Sequence, residues 1–439
     1  MNDILLLVLV GGLTIGVLFL GHPVALTFGG LGIILGLIFI GPATLPIAVT
    51  KTYSVMVSFP LIAIPLFIFM AFILERSGVA EIMFDGIRDL VAPLPGGLAI
   101  AVNLVCTLFA ASTGIIGASI VSMGVLAGPY LLEHGYDRKL TVGTIMAGGT
   151  LGILIPPSIL LIVLGAVAGI SIGKLFIGAF GPGLLLSLLY MIYIYVLCRR
   201  DPKKGPPVPK KEIKPLQLRL VRGITKTTPS IFLIIVVIGS IFFGIATPSE
   251  AGGIGAFGAL ILMVCYGKLS KSNLYYAAVA TVKTSCMVLF IIVGVNIFSA
   301  VFLAMGCGKT LGSLFAGLGN KWLFFAMTMV LLYLMGMIID WTAVLMLLIP
   351  IFFPIAEQVY GLNPFWFGML IAINLQASFL SPPFGYALFF MKSLRLQGVT
   401  TKDIYLGAVP FIGLQIAGLL LVVLFPEVFT YLTDLAFGQ

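Results

Sequence analysis

Gly149-Thr150-Leu151-Gly152-Ile153-Leu154-Ile155-Pro156-Pro157-Ser158 is the stretch on which the reading of this chain turns. It is apolar enough for a membrane interior, yet two consecutive prolines prevent a helix from running through it. Proline lacks the N–H that a helix needs, and its ring drives the preceding residue out of the helical region. Backbone broken inside hydrocarbon leaves N–H and C=O groups unpaired, which is tolerated only where protein or a water-filled cavity satisfies them. An apolar run that keeps such a break is therefore where function should be sought.

The rest of the chain supplies the membrane. Of its 439 residues, 60% are apolar and 9% charged, against roughly 25% charged in a soluble domain. Mean hydropathy is +1.21. This composition excludes a soluble enzyme, a disordered chain and a nucleic-acid binder, and predicts an all-α polytopic membrane protein. Apolar runs long enough to span lie near 4–20, 24–41, 58–75, 175–197, 230–245, 250–267, 284–304 and 404–425. Met1-Asn2-Asp3 lacks the basic region of a signal peptide, so the first run reads as a transmembrane helix. Two longer regions, 97–168 and 322–391, are apolar but interrupted by Gly, Pro and polar residues.

The net charge of +9 is a local property. Ten basic and two acidic residues fall between Arg199 and Lys226, with Pro202, Pro206, Pro207, Pro209 and Pro215 among them. That stretch reads as a solvated cytoplasmic linker over 199–229. It separates a first repeat, 1–198, from a second, 230–439. Gly169-Ile170-Ser171 through Gly178-Ala179 matches Gly398-Val399-Thr400 through Gly407-Ala408, and Pro156-Pro157 matches Pro382-Pro383. Pro23 before one Gly-rich helix matches Pro248 before another. The near-constant spacing makes the chain a duplication.

Each half is expected to hold five full crossings and one re-entrant hairpin, near 97–130 and 322–354, followed by a broken helix near 141–168 and 365–391. Odd crossings invert the halves and place both termini outside. Only Lys51, Lys174, Lys309 and Lys321 then lie outside, and the other 20 of 24 basic residues lie in the cytoplasm. Ordinary kinked spans are the competing reading.

The hairpin tips carry the chemistry. Phe109-Ala110-Ala111-Ser112-Thr113-Gly114 interrupts the first, and Met335-Gly336-Met337-Ile338-Ile339-Asp340-Trp341-Thr342 the second. Unwound carbonyls and hydroxyls are hard neutral donors suited to sodium, and free helix N-termini favour a carboxylate. Close helix crossings also select Gly, Ser and Thr, so that explanation competes. Asp340 is the only acidic residue inside either hairpin and is costly to bury without a cation, although a structural partner would also satisfy it. Asn374 and Gln376 flank the second break. Glu75 and Arg76 are expected to pair at the cytoplasmic end of a span, Glu250 to cap a helix, and His22 to sit in an interfacial turn. The five cysteines show no metal or disulfide spacing. No Ser or Cys can be matched to an activating His, and no phosphate-binding GxxxxGKS loop occurs, so neither an enzyme nor an ATP-driven pump is expected.

At these same residues, with Gly21-His22-Pro23-Val24 and Ser381-Pro382-Pro383, the chain resembles the large membrane subunit (DctM-type) of tripartite ATP-independent periplasmic (TRAP) transporters. The resemblance implies an elevator-type secondary transporter with a scaffold and a transport domain. It would be driven by sodium, with no other cofactor, and would import a small organic acid of C4-dicarboxylate, sialic or keto acid type. A periplasmic binding protein and a small four-helix membrane subunit are the implied partners, in a bacterial inner membrane. It further implies a first sodium site at Ser112, Thr113, Gly149, Thr150 and Pro156 and a second at Gly336, Asp340, Gln376, Ser378 and Pro382. Substrate would lie between the tips, with Gly114, Ser119, Thr342 and Asn374 as its candidate contacts. A stand-alone ion-coupled carrier or antiporter is the alternative.

Overall fold

A computed structural model describes residues 3–114, 116–208, 213, 215–383 and 385–437. Every regular element among them is helical. The first half comprises α1 (Asp3–Phe19), α2 (Val24–Phe39), α3 (Thr44–Met56), α4 (Ala63–Arg76), α5 (Val79–Val91), α6 (Gly97–Thr113), α7 (Ile116–Glu133), α8 (Arg138–Thr150), α9 (Ile159–Ala168) and α10 (Ile172–Arg200). The second comprises α11 (Leu216–Phe242), α12 (Pro248–Cys265), α13 (Lys271–Ala304), α14 (Cys307–Ala316), α15 (Lys321–Ile338), α16 (Trp341–Pro354), α17 (Pro364–Ser378), α18 (Tyr386–Ser393), α19 (Thr401–Leu424) and α20 (Pro426–Phe437). Among the described residues, nine helices are long and apolar enough to cross a bilayer, which makes the chain a multi-pass membrane protein.

Helix starts follow local chemistry. Thr247 and Glu250 form a reciprocal capping box at α12, as do Thr400 and Asp403 at α19. Glu250 thus acts as a cap. Asp137, Ser158, Ser171 and Ser270 accept N–H bonds at the starts of α8, α9, α10 and α13.

Packing divides the helices into two sets. In one, α2 crosses α13 and α12 crosses α4, so the Gly-rich helix of each half rests on the other half. The α2–α13 crossing is close: a Cβ on Gly294 would lie 2.3 Å from the Ala25 carbonyl oxygen, and one on Gly32 would lie 2.9 Å from Phe298 Cα. Small residues let the backbones meet at that distance. The other set gathers α6 to α10 with α15 to α19. Its tightest crossing joins α8 to α19, where a Cβ on Gly143 or Gly407 would strike a carbonyl of the facing helix at 2.3 or 2.4 Å.

The stretch expected as a solvated linker over 199–229 is corrected in part. Helix α11 already begins at Leu216 and runs along α5. The Arg219 guanidinium donates to the Asp89 and Leu90 carbonyls at 2.8 and 2.6 Å, closing the C-terminal end of α5. Lys226 and Arg222 lie 3.4 and 3.9 Å from Asp85 and Asp89. Arg222 and Lys226 are thus paired with the acidic face of α5. Upstream, the Lys204 and Gly205 carbonyls accept N–H bonds from Asp137 and Gly96.

Candidate functional site

The two interrupted regions fold into two pairs of elements, each a helical hairpin facing a broken helix. In the first, α6 ends at Gly114 with a left-handed φ of 62°. A Cβ there would lie 2.3 Å from the Pro157 carbonyl oxygen, so a glycine lets the hairpin tip rest on the opposite break. Helix α8 ends at Thr150 and tightens into a 3-10 turn at Leu151–Ile153 before the chain unwinds. Buried Ser158 then starts α9 by accepting from Leu161 N–H, while its hydroxyl donates to the Ile153 carbonyl. Behind the tip, Asn103 and Thr107 of α6 bond Ser187 of α10 at 3.0 and 2.6 Å, tying the hairpin to its neighbour.

The second pair repeats the plan with a charge added. Helix α15 stops at Ile338, and Asp340, only 7% exposed, caps α16 by accepting the Thr342 N–H at 2.9 Å. Its other oxygen accepts the Tyr386 hydroxyl at 2.9 Å. Asp340 is therefore engaged on both oxygens from two elements, which fixes its carboxylate at the start of a helix. Gly336 lets α15 approach α17: a Cβ would meet the Ser378 hydroxyl at 2.4 Å. Ser378 donates to the Leu375 carbonyl at 2.6 Å, and Tyr333 and Ser381 share a bond at 2.5 Å beside the second double proline.

Residues assigned to different sites from sequence meet in the core. The Thr150 hydroxyl accepts from the Gln376 amide and from the Gln415 amide, each at 3.4 Å, and donates to the Ala147 carbonyl at 2.8 Å. All three side chains are fully buried. Among the described residues the carbonyl oxygens of Gln376 and Gln415 accept no hydrogen bond, a costly arrangement that suits a hard cation or another donor arriving there. Gln415 escaped the sequence reading. It was visible as the sole amide in an otherwise apolar run over 404–425, the kind of residue that is expensive at membrane depth.

A cavity of about 360 Å³ opens between the two breaks. Gly114, Gly117, Asp340, Thr342 and Tyr386 line it from one side, and Phe72, Glu75, Tyr276 and Thr284 from α4 and α13 on the other. Of the four candidate substrate contacts, Gly114 and Thr342 line this space. Ser119 and Asn374 do not. Asn374 instead donates to the Met329 carbonyl at 2.8 Å and joins α17 to α15. Gly149 lies against Ile120 of α7, and Pro156 is buried in the first break while Pro382 is exposed in the second. The side chains of Ser112 and Thr113 lie outside the described residues. Glu75 and Arg76 do not meet as expected. The Arg76 guanidinium lies 3.5 Å from the Tyr276 ring centroid, leaving Glu75 in the cavity wall.

Paired hairpins facing paired broken helices around one cavity define an all-helical membrane permease. In fold the chain is similar to the YdaH transporter of Alcanivorax borkumensis, with a TM-score of 0.64 over 89% of each chain at 15% identity. Residues 12–428 match the family described as "Tripartite ATP-independent periplasmic transporter, DctM component", and the chain belongs to that family. Curated relatives agree. The C4-dicarboxylate TRAP transporter large permease protein DctM of Pseudomonas aeruginosa is 30% identical over 91% of this chain and 92% of its own. The ectoine TRAP transporter large permease protein TeaC of Halomonas elongata is 29% identical over 96% and 98%. The sialic acid TRAP transporter large permease protein SiaM of Vibrio cholerae is 28% identical over 97% of each.

Proposed function

We propose that this large permease is a sodium-coupled importer of a small carboxylate, working by an elevator movement in a bacterial inner membrane with both termini in the periplasm. A periplasmic binding protein delivers the substrate, and a small four-helix membrane subunit completes the complex. The observation that carries the reading is the cavity between the two breaks, because unwound backbone and helix starts converge there with the buried Asp340 carboxylate. The donor set fits sodium. Asp340 supplies charge in the cavity, and the Gln376 oxygen, in the core beside Thr150 and Gln415, supplies a neutral ligand of the type that replaces sodium's water at a separate site. Bound sodium would offset the Asp340 charge and so admit a carboxylate to the same cavity.

A second cavity of about 320 Å³ supports the elevator movement. Lys51, Ser54, Asn296 and Ser299 line it, with α9 and α16 opposite. It lies further along α13 than the first: from Thr284 to Asn296 is about 18 Å at 1.5 Å per residue. Sliding the hairpins by that length along α13 would carry the tips from one cavity towards the other. Relatives named for C4-dicarboxylates, ectoine and sialic acid support a small carboxylate as the substrate.

Reconstitution tests the proposal. Proteoliposomes holding both membrane subunits should accumulate the cognate carboxylate only with an inward sodium gradient and the loaded binding protein. Uptake independent of both additions would refute it and favour the stand-alone carrier.

A further inference from the structure

The cavity between the breaks carries charge of one sign. Glu75 and Asp340 line it, and no Lys or Arg does among the described residues. Asp340 is already engaged on both oxygens. Glu75 is different: it is half-buried at the last turn of α4 and accepts no hydrogen bond among the described residues. The neighbouring Arg76 is stacked over Tyr276; its charge acts on Glu75, but no ion pair joins the two among the described residues. Beside this carboxylate the cavity wall carries the rings of Phe72 and Tyr276, and the rings of Trp341, Tyr386 and Phe390 line the same cavity. A carboxylate set among aromatic faces attracts a diffuse cation, such as a quaternary ammonium or amidinium, through ring quadrupoles and charge together. The same wall repels a second carboxylate.

Resting on the reading of this cavity as the substrate site, we propose that the cargo is a zwitterion. Its carboxylate faces the hairpin tips, and its nitrogen cation sits against Glu75 and the aromatic wall. Glu75 is then the residue that sets specificity. Sodium at Asp340 balances one wall charge, and the zwitterion's own cation balances the other. A dicarboxylate would leave Glu75 facing an anion across a low-dielectric space, where like charges are expensive.

Trp341 lines the cavity and reports on its contents. With Trp322 and Trp366 replaced by Phe, it is the only tryptophan of this chain. In nanodiscs with sodium, glycine betaine and ectoine should change Trp341 emission with Kd values about ten-fold below that of succinate. Glu75→Gln should weaken both zwitterions by about ten-fold and leave succinate unchanged or tighter. Glu75→Asp, which keeps the charge, should retain the zwitterion preference. Succinate binding as tightly as the zwitterions, or Glu75→Gln shifting all three probes equally, overturns the inference while the carboxylate-importer reading survives. If no probe perturbs Trp341 in sodium, the cavity is not the substrate site and both readings fall.

Discussion

Replacing Gln376 by Met separates an ion ligand from a structural strut. Gln376 makes one long donor bond, 3.4 Å to Thr150, and buries an oxygen with no partner. Losing the bond costs about 1 kcal/mol, and removing an unsatisfied buried oxygen returns about 1–3 kcal/mol. Met is similar in volume and flexible enough to fill the same space. Without sodium, the variant should therefore unfold within about 2 kcal/mol of the parent, and on the more stable side. With sodium the outcome differs. An ion present at a hundred times its Kd stabilises the folded state by about 2.7 kcal/mol, and Gln376→Met should lose most of that increment. Thermal unfolding of the purified chain in sodium chloride and in equal choline chloride measures both numbers. A sodium increment equal to that of the parent would refute the role of the Gln376 oxygen. A large loss of stability in choline would refute the reasoning about the unsatisfied oxygen.

Four further outcomes are expected. Asp340→Asn keeps one oxygen to cap the Thr342 N–H, turns its amide to donate to the Tyr386 hydroxyl and removes the charge, so sodium-dependent uptake should weaken by about ten-fold or more with expression intact; unchanged sodium dependence would count against its role. Gly407→Val places a side chain against the Lys139 carbonyl, 2.4 Å from its Cβ, and should destabilise the α8–α19 crossing by about 1–3 kcal/mol, read as a lower unfolding midpoint. Arg219→Ala removes two bonds to the end of α5 and should cost about 1–3 kcal/mol locally, seen as faster hydrogen exchange near Leu90. Lys51→Cys should react with a membrane-impermeant maleimide from the periplasm of intact cells, whereas Lys203→Cys should react only after lysis; the reverse pattern would invert the proposed orientation.

Much of the architecture is legible in the residues because it depends on local properties. Hydropathy over some twenty residues decides that the chain enters a membrane, and a double proline ends a helix wherever it occurs. Both Pro-Pro pairs do interrupt the chain, and both hairpins turn where small or polar residues were read as tips. The helical part of the linker was not legible for the complementary reason. Composition registers ten positive charges but not the acidic face of α5 that receives two of them.

The sequence by itself determined that this is a helical membrane protein with two broken regions, since hydrogen-bond bookkeeping and side-chain hydropathy require no knowledge of neighbours. Only the tertiary structure decided which groups act together. Thr150 and Gln376 lie 226 residues apart, and Thr150 and Gln415 265 apart, yet all three share one hydroxyl. Asp340 finds Tyr386 across 46 residues, and Glu75 reaches the same cavity from another helix set altogether. These meetings depend on how α8, α17 and α19 cross, and close crossings such as that of Gly143 with Gly407 are set by backbone approach in three dimensions. No spacing along the chain encodes them.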